Sequence, residues 1–160
     1  TLSLHDALPI LVQCPPMGGL CVKEKQETAA FWKTFGLAAL LWAALAAGFE
    51  LLFPSSAAAP AGAAGLLRSC LVLPVAEELV FRGAALRLLR PLGRNAAILG
   101  QAVLFAALHG SLRAKAYALG MGLLFGWAAD RSRSLLPGIL LHILNNGAVL
   151  ARCLAERGTP

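Results

Sequence analysis

Residues 66–89 read LLRSCLVLPVAEELVFRGAALRLL, and the adjacent carboxylates Glu77 and Glu78 within that stretch decide how the whole chain is read. Between Ser69 and Leu86 the only other charge is Arg82. A charge at the centre of a membrane helix costs about 2.5–3.5 kcal/mol, so an acid there is a candidate for function by default. Helical spacing separates the two acids. Glu78 and Arg82 stand at i,i+4 on one face and can pair. Glu77 lies about 100° further round, where Arg82 serves it poorly. The spacing therefore predicts a structural Glu78–Arg82 pair and a chemically free Glu77. Pro74, three residues before Glu77, predicts a kink.

Composition supports a membrane setting. Of 160 residues, 58% are hydrophobic and 14% charged, and mean hydropathy is +0.71. A soluble domain averages about 45–50% apolar and 25% charged. The net charge of +6 could suggest nucleic acid, but the basic residues fall in short clusters between apolar runs, without interleaved aromatics. They read as flanks of membrane helices, and no nucleic-acid partner is expected. The four cysteines show neither a C-x-x-C pair nor zinc spacing.

Taken in order, residues 1–10 (TLSLHDALPI) back-translate without strain to a common short-read sequencing adapter and are expected to be a translated artefact, the other reading being a genuine polar N-terminus. The natural start is expected further in, at Met17. Residues 1–25 are expected to be disordered, because Pro15-Pro16 and Gly18-Gly19 break helices, and 11–34 as a whole to be a disordered or amphipathic N-terminal segment. The first membrane helix is expected over 35–53 and the functional core over 66–152. Within the core, spans are expected over 66–90, 95–112, 117–129 and 135–151. Several are short for a bilayer, which suits a locally thinned or protein-lined setting. Gly122-x-x-x-Gly126 predicts close helix contact. The fold class that follows is all-α, a polytopic transmembrane bundle of about five helices. Basic residues before the first span and after the second and fourth place those ends on the cytoplasmic side, although Arg113, Lys115, Arg152 and Arg157 then lie outside.

Two histidines, His109 and His142, lie in these spans. Phe105-x-x-x-His109 and His142-x-x-x-Asn146 each put a partner one turn away on the same face. Three apolar helices thus each carry a costly polar cluster, and convergence on one wet cavity satisfies all three. A carboxylate kept from water holds a proton more firmly, the property a general base needs. Glu77 could deprotonate a water that His109 helps to hold. His142 and Asn146 could stabilise the oxyanion of a tetrahedral intermediate. These are the parts peptide hydrolysis requires.

The E-E-x-x-x-R run at 77–82, F-x-x-x-H at 105–109 and H-x-x-x-N at 142–146, in that order, resemble the three motifs of the CPBP (Abi) family of intramembrane proteases. This is the CaaX prenyl protease and bacteriocin-processing group. The resemblance implies an endopeptidase in which Glu77 is the base, His109 its partner on the water, and His142 with Asn146 the oxyanion site. Glu78, Arg82 and Phe105 complete the motifs. It implies a membrane-associated protein or peptide as substrate, of prenylated CaaX type or carrying a C-terminal sorting signal. It also implies an integral protein in contact with membrane lipid, in a bacterial cytoplasmic membrane. The family is described both as metalloproteases and as glutamate proteases. No cofactor is favoured here, and zinc, if used, would be held by Glu77, His109 and His142. The chain is short for the family, which leaves a fragment and a minimal version both open. The alternatives are a non-catalytic immunity or scaffold protein of the same family, and a proton-linked transporter. Small size and the absence of an internal repeat argue against transport.

Overall fold

The computed structural model describes residues 17–54 and 62–157, with side chains for 28–54 and 62–155. The expected adapter segment 1–10 and residues 11–16 lie outside the described residues. Five helices follow one another: α1 (Met17–Leu52), α2 (62–88), α3 (Arg94–Ala107), α4 (Leu112–Ser132) and α5 (Leu136–Arg157). No strand occurs among the described residues.

Helix α1 starts at Met17, so 17–34 is the first half of α1 rather than a disordered segment, and the helix expected from residue 35 is longer at its N-terminal end. Gly18 and Gly19 each cost only about 1 kcal/mol in a helix, too little to stop a long run once nucleated. The helix ends where Phe53 makes the last backbone bond, to Phe49 (2.8 Å), because Pro54 has no N–H to continue it. Thr28–Leu52 and Leu136–Ala155 are long and apolar enough to cross a membrane. Trp32, Leu40 and Leu51 of α1 and Leu88, Leu108 and Leu112 elsewhere point outward. So many large apolar side chains facing out mark a surface solvated by lipid rather than water.

Helix α2 is continuous in its dihedrals, yet α-helical stretches (Gly62–Leu67, Leu73–Glu78, Leu86–Leu88) alternate with π-helical ones (Arg68–Val72, Leu79–Ala85). Pro74 does not break it. The helix takes up the proline by widening in the turn before it. A short 3₁₀ turn, Arg90–Leu92, and Gly93 at φ +98° redirect the chain into α3.

Helix α4 has 21 residues, not the thirteen expected over 117–129. Its ends are polar but capped. Ser111 Oγ accepts from the Ala114 N–H (3.1 Å), and Arg133 closes the other end in the left-handed region. The span expected over 95–112 stops as a helix at Ala107, and the last one extends beyond 151 to Arg157. Helix α4 is the centre of the bundle. A Cβ on Gly122 would come 2.9 Å from Ala102 Cα of α3, and one on Gly120 would come 3.1 Å from Leu45 of α1. The small residues thus let α4 touch a neighbour on each side. Phe125, Ala128 and Leu141 bring α4 and α5 against Ala38 of α1 in a shared core.

Ion pairs tie each end. Glu50 of α1 pairs with Arg113 of α4 (3.0 Å) and Arg152 of α5. At the other end Asp130 of α4 pairs with Arg90 and Arg94. Consecutive helices therefore run antiparallel, and the polar clusters of α2, α3 and α5 meet between these two charged ends.

Candidate active site

Helix α2 supplies the carboxylates. Glu78 and Arg82 are both fully buried, 2.9 Å apart, as the i,i+4 spacing requires. The Arg82 guanidinium also lies over the rings of Phe105 (4.6 Å) and Phe125 (5.5 Å), whose negative faces attract a cation in a dry setting. Gly138 of α5 makes room for this pair, since a Cβ there would meet Glu78 Oε2 at 2.5 Å. Glu77, one residue earlier, is turned away and keeps 36% of its side chain accessible. It lines a cavity of about 190 Å³ together with Phe105, His109, His142 and Asn146.

His142 stands between the two carboxylates. Its Nδ1 is 2.9 Å from Glu78 Oε1 and its Nε2 is 3.5 Å from Glu77 Oε2. A carboxylate paired with Arg82 only accepts, so Nδ1 carries the proton. His142 is thus held by carboxylates, while Asn146, one turn further along the same helix, lines the same cavity.

His109 is positioned by its own helix end. Its Nδ1 bonds the Phe105 carbonyl (3.0 Å), which only accepts, so Nδ1 is protonated and a neutral ring keeps its lone pair on Nε2. Its ring packs edge-on against Phe105 at 4.9 Å. Phe105 also meets Phe81 at 5.2 Å and His142 at 5.8 Å, so this one aromatic spaces both imidazoles and the arginine. Among the described residues no three His, Cys, Asp or Glu side chains converge as metal ligands would, and the Glu77, His109 and His142 set does not form one. Both nitrogens of His142 are already directed at carboxylates.

Asn146 is set by the irregularity in α2. The Leu73 N–H bonds the Arg68 carbonyl in the π register, so the next carbonyl, Ser69, faces Pro74, which has no N–H. Asn146 Nδ2 donates to that carbonyl instead (2.9 Å). A π turn beside a proline thus creates an acceptor that orients a site amide.

A family model described as Type II CAAX prenyl endopeptidase Rce1-like matches residues 59–148, more than half of the chain and all of the motif residues above. The chain belongs to the Rce1-like family. It is therefore a membrane protein of a protease family, and its kind of function is that of a CAAX-type intramembrane protease. No curated protein and no solved structure matches the chain.

The Rce1-like match begins after α1, yet α1 reaches the site. Trp42 Nε1 donates to Asn145 Oδ1 (3.2 Å), and the Tyr117 hydroxyl donates to the same oxygen (2.6 Å). Asn145 Nδ2 in turn donates to Asn146 Oδ1 (3.2 Å). The reading of single motifs passed over Asn145, Tyr117 and Trp42. The signal available for Asn145 was its adjacency to Asn146 on a helix where two neighbouring amides must both find partners. Trp42 and Tyr117 carried no such signal.

Proposed function

We propose that this chain is an endopeptidase that hydrolyses a peptide bond of a membrane-associated protein or peptide by means of a water activated by Glu77. The observation that carries the reading is the placement of Glu77 Oε2 3.5 Å from His142 Nε2, on the wall of a cavity that His109 and Asn146 also line. Glu77 takes a proton from the water while the His109 Nε2 lone pair accepts a hydrogen bond from the O–H that remains. The water oxygen adds to the scissile carbonyl carbon. The second hydrogen of Asn146 Nδ2, left over after the bond to Ser69, donates to the oxyanion, as does His142 Nε2–H once Glu77 has passed the water's proton to that nitrogen, 3.5 Å away, and made the ring an imidazolium. Glu78 stabilises that imidazolium through Nδ1, the part a buried carboxylate plays for histidine in hydrolytic triads. The C–N bond breaks as Glu77 takes that proton back from His142 and hands it to the leaving amine, which leaves the imidazole neutral again.

The family assignment supports a substrate of the CAAX type, and a chain carrying a C-terminal sorting signal is the second class of peptide the site would take. The setting is the cytoplasmic membrane of a bacterium, in keeping with the bacteriocin-processing relatives that the motifs resemble. The test compares peptide termini in membranes of cells carrying the wild type, Glu77→Gln, or no copy, at matched expression. A terminus that appears with the wild type alone names the substrate. A Glu77→Gln variant that restores whatever the null strain lacks overturns the reading in favour of a non-catalytic scaffold.

A further inference from the structure

The charge balance is uneven at the end of the bundle where α2 stops and α4 turns into α5. A cavity of about 320 Å³ there is lined by four arginines, Arg82, Arg87, Arg90 and Arg133, against one acidic residue, Asp130. Asp130 is held by Arg90 and Arg94. Arg87 and Arg133 are exposed and form no ion pair among the described residues. Arg133 is held in place by the left-handed turn (φ +54°) that ends α4. Ser134, whose hydroxyl accepts from the Leu136 N–H (3.2 Å) at the start of the 22-residue helix α5, also lines the cavity.

The second observation is Arg82. Its side chain is fully buried and its charge faces Glu78, yet Nε and Nη2 have no hydrogen-bond acceptor. Buried donors are almost always satisfied, and a charged one more stringently than most. Arg82 lines this arginine cavity and not the one holding Glu77.

We propose that this cavity binds a phosphate-bearing anion, held by the forks of Arg87, Arg90 and Arg133 with Arg82 at its floor. Planar guanidiniums match the oxygens of a phosphate two at a time, which a lysine cluster does not. Leu88, Leu92 and Leu136 are exposed and adjoin these residues in sequence, so acyl chains can lie against the rim. The phosphate is that of an anionic phospholipid headgroup or of a soluble phosphate. The site lies apart from Glu77 and stands whether or not the chain cleaves peptides.

The test uses the full chain in phosphatidylcholine nanodiscs and follows thermal unfolding. Phosphatidylglycerol is added to the bilayer in one arm, and inorganic phosphate to the buffer in the other. One of the two raises the unfolding midpoint by several degrees and so names the source. The Arg87→Gln/Arg133→Gln pair loses that rise, whereas Arg68→Gln/Lys115→Gln, which removes equal charge at the opposite end, keeps it. An equal loss in both pairs means diffuse surface attraction and overturns the proposal, as does the absence of a rise in either arm. Should the first pair fold poorly, native mass spectrometry of the wild type decides. One tightly retained anionic lipid or phosphate supports the site, and none overturns it.

Discussion

Glu78 Oε1 lies 2.9 Å from His142 Nδ1, a bond between residues 64 apart in the chain that locks the middle of α2 to the first turns of α5. The same oxygen faces Arg82 at 2.9 Å, so one buried carboxylate joins the first motif to the third. Glu78 is thus both the counter-ion of a buried arginine and the group that sets which nitrogen of His142 carries a proton. Glu77 is left to face the cavity.

Neutralising the two acids should give opposite phenotypes. Glu78→Gln leaves Arg82 buried without a counter-charge, and breaking such a pair costs about 3–5 kcal/mol. Abundance in membranes and the thermal midpoint should both fall. Glu77→Gln removes a partly exposed group, so stability should hold within about 1 kcal/mol while cleavage is lost.

Gly138→Ala should damage the site without touching a motif residue. The added Cβ would meet Glu78 Oε2 at 2.5 Å and Cδ at 3.3 Å, and Glu78 has no freedom to retreat while Arg82 and His142 hold it. Such overpacking costs about 1–3 kcal/mol. Thermal unfolding would register it, and Gly48→Ala, where nothing lies within 4 Å of the added atom, should not show it.

The relay through Asn145 makes α1 matter for turnover. Asn145→Leu leaves Asn146 without its neighbour and Trp42 and Tyr117 without an acceptor. These bonds are half-buried, and one such bond contributes about 0.5–1.5 kcal/mol, so kcat should drop about two- to tenfold with KM little changed. Trp42→Phe removes one donor of two, and its smaller drop in kcat should leave KM unaltered. An unchanged kcat in both variants would show that Asn146 is held by Ser69 alone.

Asp130 predicts an acid limit to stability. Burial works to raise its carboxyl, but hydrogen bonds and charges from Arg90 and Arg94 outweigh this and hold it below the usual carboxylate range. The unfolded chain therefore takes up this proton first as pH falls. The stabilisation is complete above the unfolded value, near pH 3.9, and disappears as pH drops through the lower folded value. Both arginines are about half exposed, so solvent screening keeps the effect under about 1 kcal/mol. Unfolding midpoints of the wild type and Asp130→Asn should converge as the solution is taken from neutral pH to about pH 3.

If Glu77 activates the water unaided by a metal, as proposed, removal of zinc by a chelator leaves peptide cleavage by the purified protein unchanged. A loss of cleavage restored by added zinc would show that Glu77, His109 and His142 rearrange around the metal.

Much of the fold was legible because its cause is local. Apolar runs of helical length, an i,i+4 pair of opposite charges and a proline after Phe53 are properties of neighbours in the chain, and they predict the helices and the Glu78–Arg82 pair directly. The boundaries were less legible. The two N-terminal glycines and the charged ends of α4 disfavour helix residue by residue, but capping at Ser111 and propagation of a long helix outweigh that preference.

Sequence by itself determined that three apolar helices each carry polar groups too costly to leave in lipid, and therefore that these groups must meet. Only the tertiary structure decided how they meet. His142 turned to the carboxylates of α2, because Glu78 and Arg82 form a buried pair whose remaining acceptor an imidazole N–H can fill. Asn146 turned to Ser69, because Pro74 leaves that carbonyl without a backbone donor. Both choices depend on which unsatisfied group each side chain finds across the bundle, and such distances exist only once the helices are packed.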